Sequence, residues 1–198
     1  MRYDLTHIMP WVPFGSRVLD LGCGNGEFLS ALESTRGVQG LGIELDPDNL
    51  IAAAGRGINV IQQDIDEGLG NFSDQSFDRV VMAHALQVLQ NPHKVLSEMV
   101  RIGHEAVVTF PNFGHWRCRL HLGFKGRMPV SRVLPYSWYD TPNIHFCTVK
   151  DFEALCAQLN IEITANDIIA DPGQGLLARW LPNAFGVTAI YRIRRRAG

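Results

Sequence analysis

The sequence predicts an α/β fold, a doubly wound and mostly parallel sheet of seven strands whose last pair runs antiparallel at one edge. Three observations predict it. Short β-branched runs alternate with helix-length amphipathic stretches as far as residue 111, and parallel strands joined by crossovers are the arrangement that covers both faces of such a sheet. A glycine-rich turn joins the first strand to the helix after it, at the position where open α/β sheets bind ligands. Beyond residue 160, two strand-like runs follow one another with only a Gly/Pro-containing loop between them, so they are antiparallel neighbours.

The elements follow in order. The stretch from Tyr3 to Trp11 is one short helix, broken at Pro10 and Pro13, and leaves little cover over a ligand. VLDLG (18–22) is the first strand, and GEFLSALEST (26–35) a helix with Phe28, Leu29 and Leu32 on one face. VQGLGIEL (38–45) is the second strand. PDNLIAAAG (47–55) is a helix opened by Pro47 and closed by Gly55, the usual asymmetry of helix ends. INVIQQD (58–64) and FDRVVMAHA (77–85) are the third and fourth strands, taken to be joined by a further crossover of helix length. HKVLSEMVRIG (93–103) carries Val95, Leu96, Met99, Val100 and Ile102 mostly on one stripe, and EAVVTFP (105–111) is the fifth strand. Residues 112–147 are too long for an ordinary connection. The helix VKDFEALCAQLN (149–160), with Phe152, Leu155, Cys156 and Leu159 at core spacing, leads into the final strands IEITANDIIA (161–170) and GVTAIYRIRRR (186–196).

Composition excludes several classes. The chain has 198 residues, 46% of them apolar and 19% charged, enough for a full core in one domain spanning 1–198. A net charge of −2 provides no global attraction for nucleic acid or an anionic membrane. No apolar run approaches the length of a membrane span, and the N-terminus lacks the build of a signal peptide. Cys23, Cys118, Cys147 and Cys156 form no C-x-x-C pair, which reads as four reduced thiols in a cytoplasmic protein. The histidines have no metal-like pairing with acids or thiols.

The strongest signal is VLDLGCGNGEF (18–28), where Gly22, Gly24 and Gly26 carry the chain from strand to helix. Glycine permits positive φ and close approach to a ligand, and the helix start offers N–H donors. The spacing is G-x-G-x-G rather than the G-x-G-x-x-G of a dinucleotide site. Asp20, two residues before the first glycine, would repel a pyrophosphate but suits the ammonium group of an amino-acid ligand. Glu44 ends the second strand and has two acceptor oxygens for vicinal ribose hydroxyls. Asp64 ends the third, where an acceptor meets the exocyclic amine of adenine, with Ile65 beside the ring.

On these residues the sequence resembles the class I S-adenosylmethionine (SAM)-dependent methyltransferases, a Rossmann-like superfamily. The resemblance implies that Asp20, Gly22, Gly24, Gly26, Glu44 and Asp64 hold SAM. SFDRVVMAHALQVL (76–89) is similar to the superfamily's fourth-strand segment, whose end lies under the methionine moiety, and Ala83 and His84 match it. Methyl transfer from a sulfonium needs positioning first and a base only for a protonated nucleophile. The N-P-P-Y type motif of amino-group methyltransferases is absent. His84 is the best-placed candidate base, with a structural or ligand-packing histidine as the stronger reading.

The segment 112–147 carries Arg117, Arg119, Lys125, Arg127 and Arg132 against the single acid Asp140, interleaved with aromatic residues. Trp, Tyr and Arg are enriched at interface hot spots, so Trp116, Arg117, Arg127, Tyr136, Trp138 and Tyr139 are candidate partner contacts. The preferred reading is a folded lid that also forms a protein interface; the acidic overall balance weighs against nucleic acid. FPNFGHWRCRLHLGFKGRMPVSRVLPYSWYDTPNIHFCTVKDFEALC (110–156), with DIDEGL (64–69), resembles the methionine biosynthesis protein W (MetW) family. The chain keeps that family's G-C-G-D/N-G loop and departs at His84 and Gln87. The resemblance implies a cytoplasmic bacterial protein that binds SAM or its demethylated product S-adenosylhomocysteine (SAH) and serves as partner and activator or regulator of homoserine O-acyltransferase. The alternative is an active SAM-dependent methyltransferase on a small molecule.

Overall fold

A computed structural model describes residues 3–131 and 134–196; Arg132, one of the basic residues of the long insert, lies outside them. Strands β1 (Arg17–Leu21), β2 (Gln39–Glu44), β3 (Val60–Gln62), β4 (Phe77–Ala83), β5 (Gly103–Pro111), β6 (Ile161–Ala170) and β7 (Gly186–Arg195) form one sheet in the order β3-β2-β1-β4-β5-β7-β6. β3, β2, β1, β4 and β5 are mutually parallel. β7 runs antiparallel to both β5 and β6, so the reversed strand lies one place in from the edge.

The period of two in the strands divides the core into two layers. Leu19 and Leu21 of β1, Val80 and Met82 of β4, and Val108 and Phe110 of β5 face one side. There they meet helices α4 (Pro92–Ile102) and α6 (Val149–Gln158), through Leu96 and Met99 of α4 and Phe152 and Cys156 of α6. Val18, Val81 and Val107 face the other side with α1 (Tyr3–Ile8) and α2 (Glu27–Arg36), through Ile8, Phe28, Leu29 and Leu32. Phe110, Phe152 and Tyr191 form an aromatic cluster with centroids 4.8–6.0 Å apart, and the Tyr191 hydroxyl donates to Glu153 Oε1 at 2.7 Å. Helix starts follow local chemistry. Asp46 caps α3 (Pro47–Gly55) by accepting from the Asp48 and Asn49 amides, and Thr148 and Asp151 form a reciprocal capping box on α6.

Three details differ from the sequence-based expectation. The β3–β4 connection holds only a 3₁₀ turn, Ile65–Glu67, and no α-helix; β3 is itself three residues long. The insert contains a helix, α5 (Trp116–Lys125), that HWRCRLH did not announce. The loop between β6 and β7 folds into two short helices, α7 (Gly175–Trp180) and α8 (Pro182–Phe185). No helix among the described residues is long and apolar enough to cross a membrane.

Candidate functional site

The glycine turn after β1 forms one wall of a cleft of about 180 Å³ that opens at the carboxyl edge of the sheet. Gly22, Gly24 and Gly26 have φ of 75°, 55° and 75°, values that L side chains rarely adopt, so the turn depends on glycine at all three places. Asp20, Gly22, Gly24 and Ala83 line the cleft together. Asp20 is 3% exposed, because its neighbours in β1 are flanked by β2 and β4 and its own side lies under α1 and α2. Leu5, Cys23, Asn25, Glu27 and Phe28 complete the lining and were not singled out from the sequence as site residues. Of these, Leu5 is the one contributed by α1. The insert, read as a lid, contributes no residue to the lining among those described.

Hydrogen bonds in the turn distinguish it from a phosphate site. The Gly22 and Cys23 amides donate to Ile43 O at 2.9 and 3.0 Å, and the Gly26 amide donates to Cys23 O at 3.1 Å. Gly24 N–H donates to Glu44 Oε2 at 2.7 Å, while Glu44 Oε1 accepts from the Leu45 and Asp46 amides. The Gly22, Cys23, Gly24 and Gly26 amides of the turn are thus used within the protein, as is the Glu27 amide, which donates to Asn25 Oδ1 at 3.2 Å. Asp20 and Glu27 on the lining, with Glu44 behind the loop, make the surroundings acidic. Burial, reinforced by the carboxylates of Asp20 and Glu44, pushes the Cys23 thiol up to about 12.

The remaining predicted residues occupy the adjacent strand ends. Asp64 Oδ1 accepts from the Asp66 amide at 2.9 Å and so starts the 3₁₀ turn, leaving its second oxygen as an acceptor. Ile65 packs on the core and lines a second hollow against α4 rather than the cleft after β1. His84 follows Ala83 in the left-handed region at φ 59°, held by its amide donating to Thr109 O at 3.0 Å. Its Nε2 lies 3.6 Å from Asp4 Oδ2, a carboxylate that also accepts from the Thr109 hydroxyl at 3.3 Å. The imidazole is therefore engaged by α1, and Ala83 rather than His84 faces the cleft.

The candidate partner residues lie along the same edge, beyond β5. Arg127, Tyr136, Trp138 and Tyr139 are exposed, the last two packed edge-on at 5.7 Å. Arg117 is exposed and pairs with Asp171 at 3.0 Å, whereas Trp116 is half-buried beneath it. The F-P-N-F-G motif has a structural role that its sequence does not disclose. Asn112, 2% exposed, donates to Gly186 O at 2.8 Å and Asn183 O at 3.2 Å, and accepts from the Gly114 and Val149 amides. One side chain thereby joins the starts of α5 and α6 to α8. His115 caps α5, its Nδ1 accepting from the Arg117 amide at 3.3 Å, and burial lowers its pKa against the opposing pull of Asp171.

Comparison with known proteins agrees with this architecture. In an alignment of 207 residues that covers 98% of the chain, it is 38% identical to the bifunctional methionine biosynthesis protein MetXA/MetW of Rhodopirellula baltica, and it spans about a third (33%) of that protein. It is 27% identical over 81% of its length, and 76% of the relative's, to a demethylmenaquinone methyltransferase of Bacillus cereus. An S-adenosylmethionine-dependent methyltransferase of known structure from Mesorhizobium loti superposes with a TM-score of 0.71 over 96% of each chain at 18% identity, which establishes the shared class I methyltransferase fold. The sequence profile of methionine biosynthesis protein MetW matches residues 2–193. Glycine turn, insert and full-length match together assign the chain to the MetW family.

Proposed function

We propose that this protein binds SAM or SAH in the cleft after β1 and acts in the cytoplasm as a partner that activates or regulates homoserine O-acyltransferase. The observation that carries the ligand half is the wiring of the glycine turn. Its amides are turned inward and its surroundings are acidic, which disfavours phosphates and suits a ligand bearing a sulfonium and an ammonium group. Asp20 would take the ammonium, Glu44 the ribose hydroxyls through its remaining lone pairs, and Asp64 with Ile65 the adenine. Bound SAM supplies an activated methyl group; the fold does not by itself require that the methyl be transferred.

The partner half is supported by family membership and by the relative that carries MetXA and MetW in one polypeptide. An exposed basic–aromatic insert that leaves the cleft unlined is consistent with a surface made for another protein. Four unpaired cysteines suit a reducing compartment. Calorimetric titration tests the ligand half: SAM and SAH are expected to bind one per chain, and NADH not at all. Binding of NADH with no binding of SAM would overturn it.

The alternative is a SAM-dependent methyltransferase acting on a small molecule, for which His84, beside Asp4 rather than on the cleft lining, is the candidate base. It requires turnover of SAM to SAH with a small acceptor. A broad acceptor screen without turnover, in protein that binds SAM, rejects that reading.

A further inference from the structure

The insert is not the whole of the exposed surface at this edge. α5 has ten residues, of which only Cys118 is buried, and Phe124 stands 85% exposed near its end. The paired helices α7 and α8 bury only Ala178, and leave Leu176 75%, Trp180 84% and Leu181 55% exposed. Helices this short have little stability of their own and depend on packing of an apolar face. These two units are adjacent. Arg117 of α5 pairs with Asp171, just before α7, at 3.0 Å. Arg119 donates to Asn183 O of α8 at 3.4 Å. At their seam His115 Nε2, Trp116 Nε1, Gln174 Oε1 and Asn183 Oδ1 are buried without hydrogen-bond partners, and native structures hold few such atoms. β5 and β6 end, and β7 begins, at the carboxyl edge that also bears the cleft.

We infer that α5 together with α7 and α8 forms the docking face for the acyltransferase, with Trp180 and Leu176 as its apolar anchors. This inference rests on the partner reading above and adds a second unit that the sequence did not indicate. Charge selects the occupant. Arg117, Arg119, Lys125 and Arg127 lie in or just after α5 and Arg179 lies in α7, in a chain whose net charge is −2. A second copy docked through the same patch would set these cations against themselves, since a two-fold interface repeats one surface on both sides. A different protein with an acidic rim around an apolar centre is complementary. The Rhodopirellula relative, which carries MetXA and MetW in one chain, points to the acyltransferase as that different protein.

The test is sedimentation velocity and titration calorimetry of the full chain with full-length homoserine O-acyltransferase. The double variant Leu176→Ser/Trp180→Ser is compared with Ile51→Ser, a control on the exposed face of α3. The double variant is expected to lose about tenfold or more in affinity with its SAM affinity and melting temperature unchanged, and the control to bind as the parent does. Arg127→Glu probes the same face independently and is expected to weaken binding more at low salt than at high. Full binding by the double variant overturns the docking face and leaves the partner reading standing. A parent chain that does not bind the acyltransferase overturns both. A parent that instead self-associates, in a manner the double variant abolishes, assigns the face to a second copy and overturns the choice of occupant.

Discussion

Gly24 and Gly26 share a left-handed backbone but differ in what surrounds them. A Cβ on Gly24 meets nothing within 4 Å, whereas one on Gly26 meets Ala53 Cβ at 3.0 Å and Ile58 Cγ1 at 3.2 Å. Gly24→Ala is expected to cost only the backbone strain, about 1–2 kcal/mol, while weakening SAM binding because the methyl projects from a lining residue into open space. Gly26→Ala adds crowding and is expected to cost about 2–4 kcal/mol. Urea denaturation beside SAM titration separates the two; equal loss of stability would contradict the distinction. Cys23 provides a second check. With its thiol raised to about 12, the thiolate fraction at pH 8 is about one in ten thousand, so iodoacetamide labelling of the native protein is expected to be negligible there and to rise with pH. Rapid labelling at pH 8 would show that the thiol is neither buried nor beside two carboxylates. Asp20, Gly22 and Gly24 were legible because their spacing is itself the signal. Leu5, Glu27 and Phe28 were not, because they reach the cleft through helices whose tilt no spacing encodes.

At the scale of elements, legibility followed amphipathicity. α2, α4 and α6 pack against a core and therefore carry stripes that can be read. The buried residues of α2 and α4 are those the pattern indicated, while in α6 Phe152 and Cys156 are buried, Leu155 and Leu159 are partly buried, and Val149 is buried without having been indicated. α5 and α7 are exposed around most of their circumference, so neither has a stripe to find. The β3–β4 connection was misread because a long loop and a crossover helix occupy similar lengths of chain. The cap of α5 makes that helix sensitive to pH. His115 Nδ1 accepts a hydrogen bond only when unprotonated at that atom, and burial lowers its folded pKa below that of the unfolded chain, about 6.5. A group with a depressed histidine pKa stabilises the fold above the unfolded value and loses that contribution as the pH falls from there through the folded value. α5 is therefore expected to loosen on acidification below about pH 6.5, by up to about 1 kcal/mol. Hydrogen exchange of its amides, corrected for intrinsic rates, reads the effect. His115→Asn, a cap that does not titrate, is expected to abolish the pH dependence; a slope that persists in it would place the sensor elsewhere.

Across the whole molecule, one edge of the sheet carries both a cleft for a small ligand and a surface for a large one. The cleft occupies the β1–β4 half, and the exposed helices the β5–β7–β6 half. β5 connects them, since Thr109 donates to Asp4 of α1, the helix that also brings Leu5 to the cleft, and Asn112, three residues on, holds α5, α6 and α8 in place. Coupling between the two sites exists only if SAM binds the free and docked forms with different affinity. The mostly parallel seven-stranded sheet and the family were readable from the sequence, the first from the alternation of strands and helices and the second from motif spacing; the strand order was not. Nor was the composite face, since α5 and α7 lie some fifty residues apart, and the contacts that join α5 to the α7–α8 unit, the Arg117–Asp171 ion pair and the bonds of Arg119 and Asn112 to Asn183 O, carry no signal in spacing. The most direct measurement is the rate of homoserine O-acyltransferase with and without this protein, each at zero and at saturating SAM. The expected result is a large increase on adding the protein and a further change when SAM is present. An identical rate in all four conditions would contradict the proposed role.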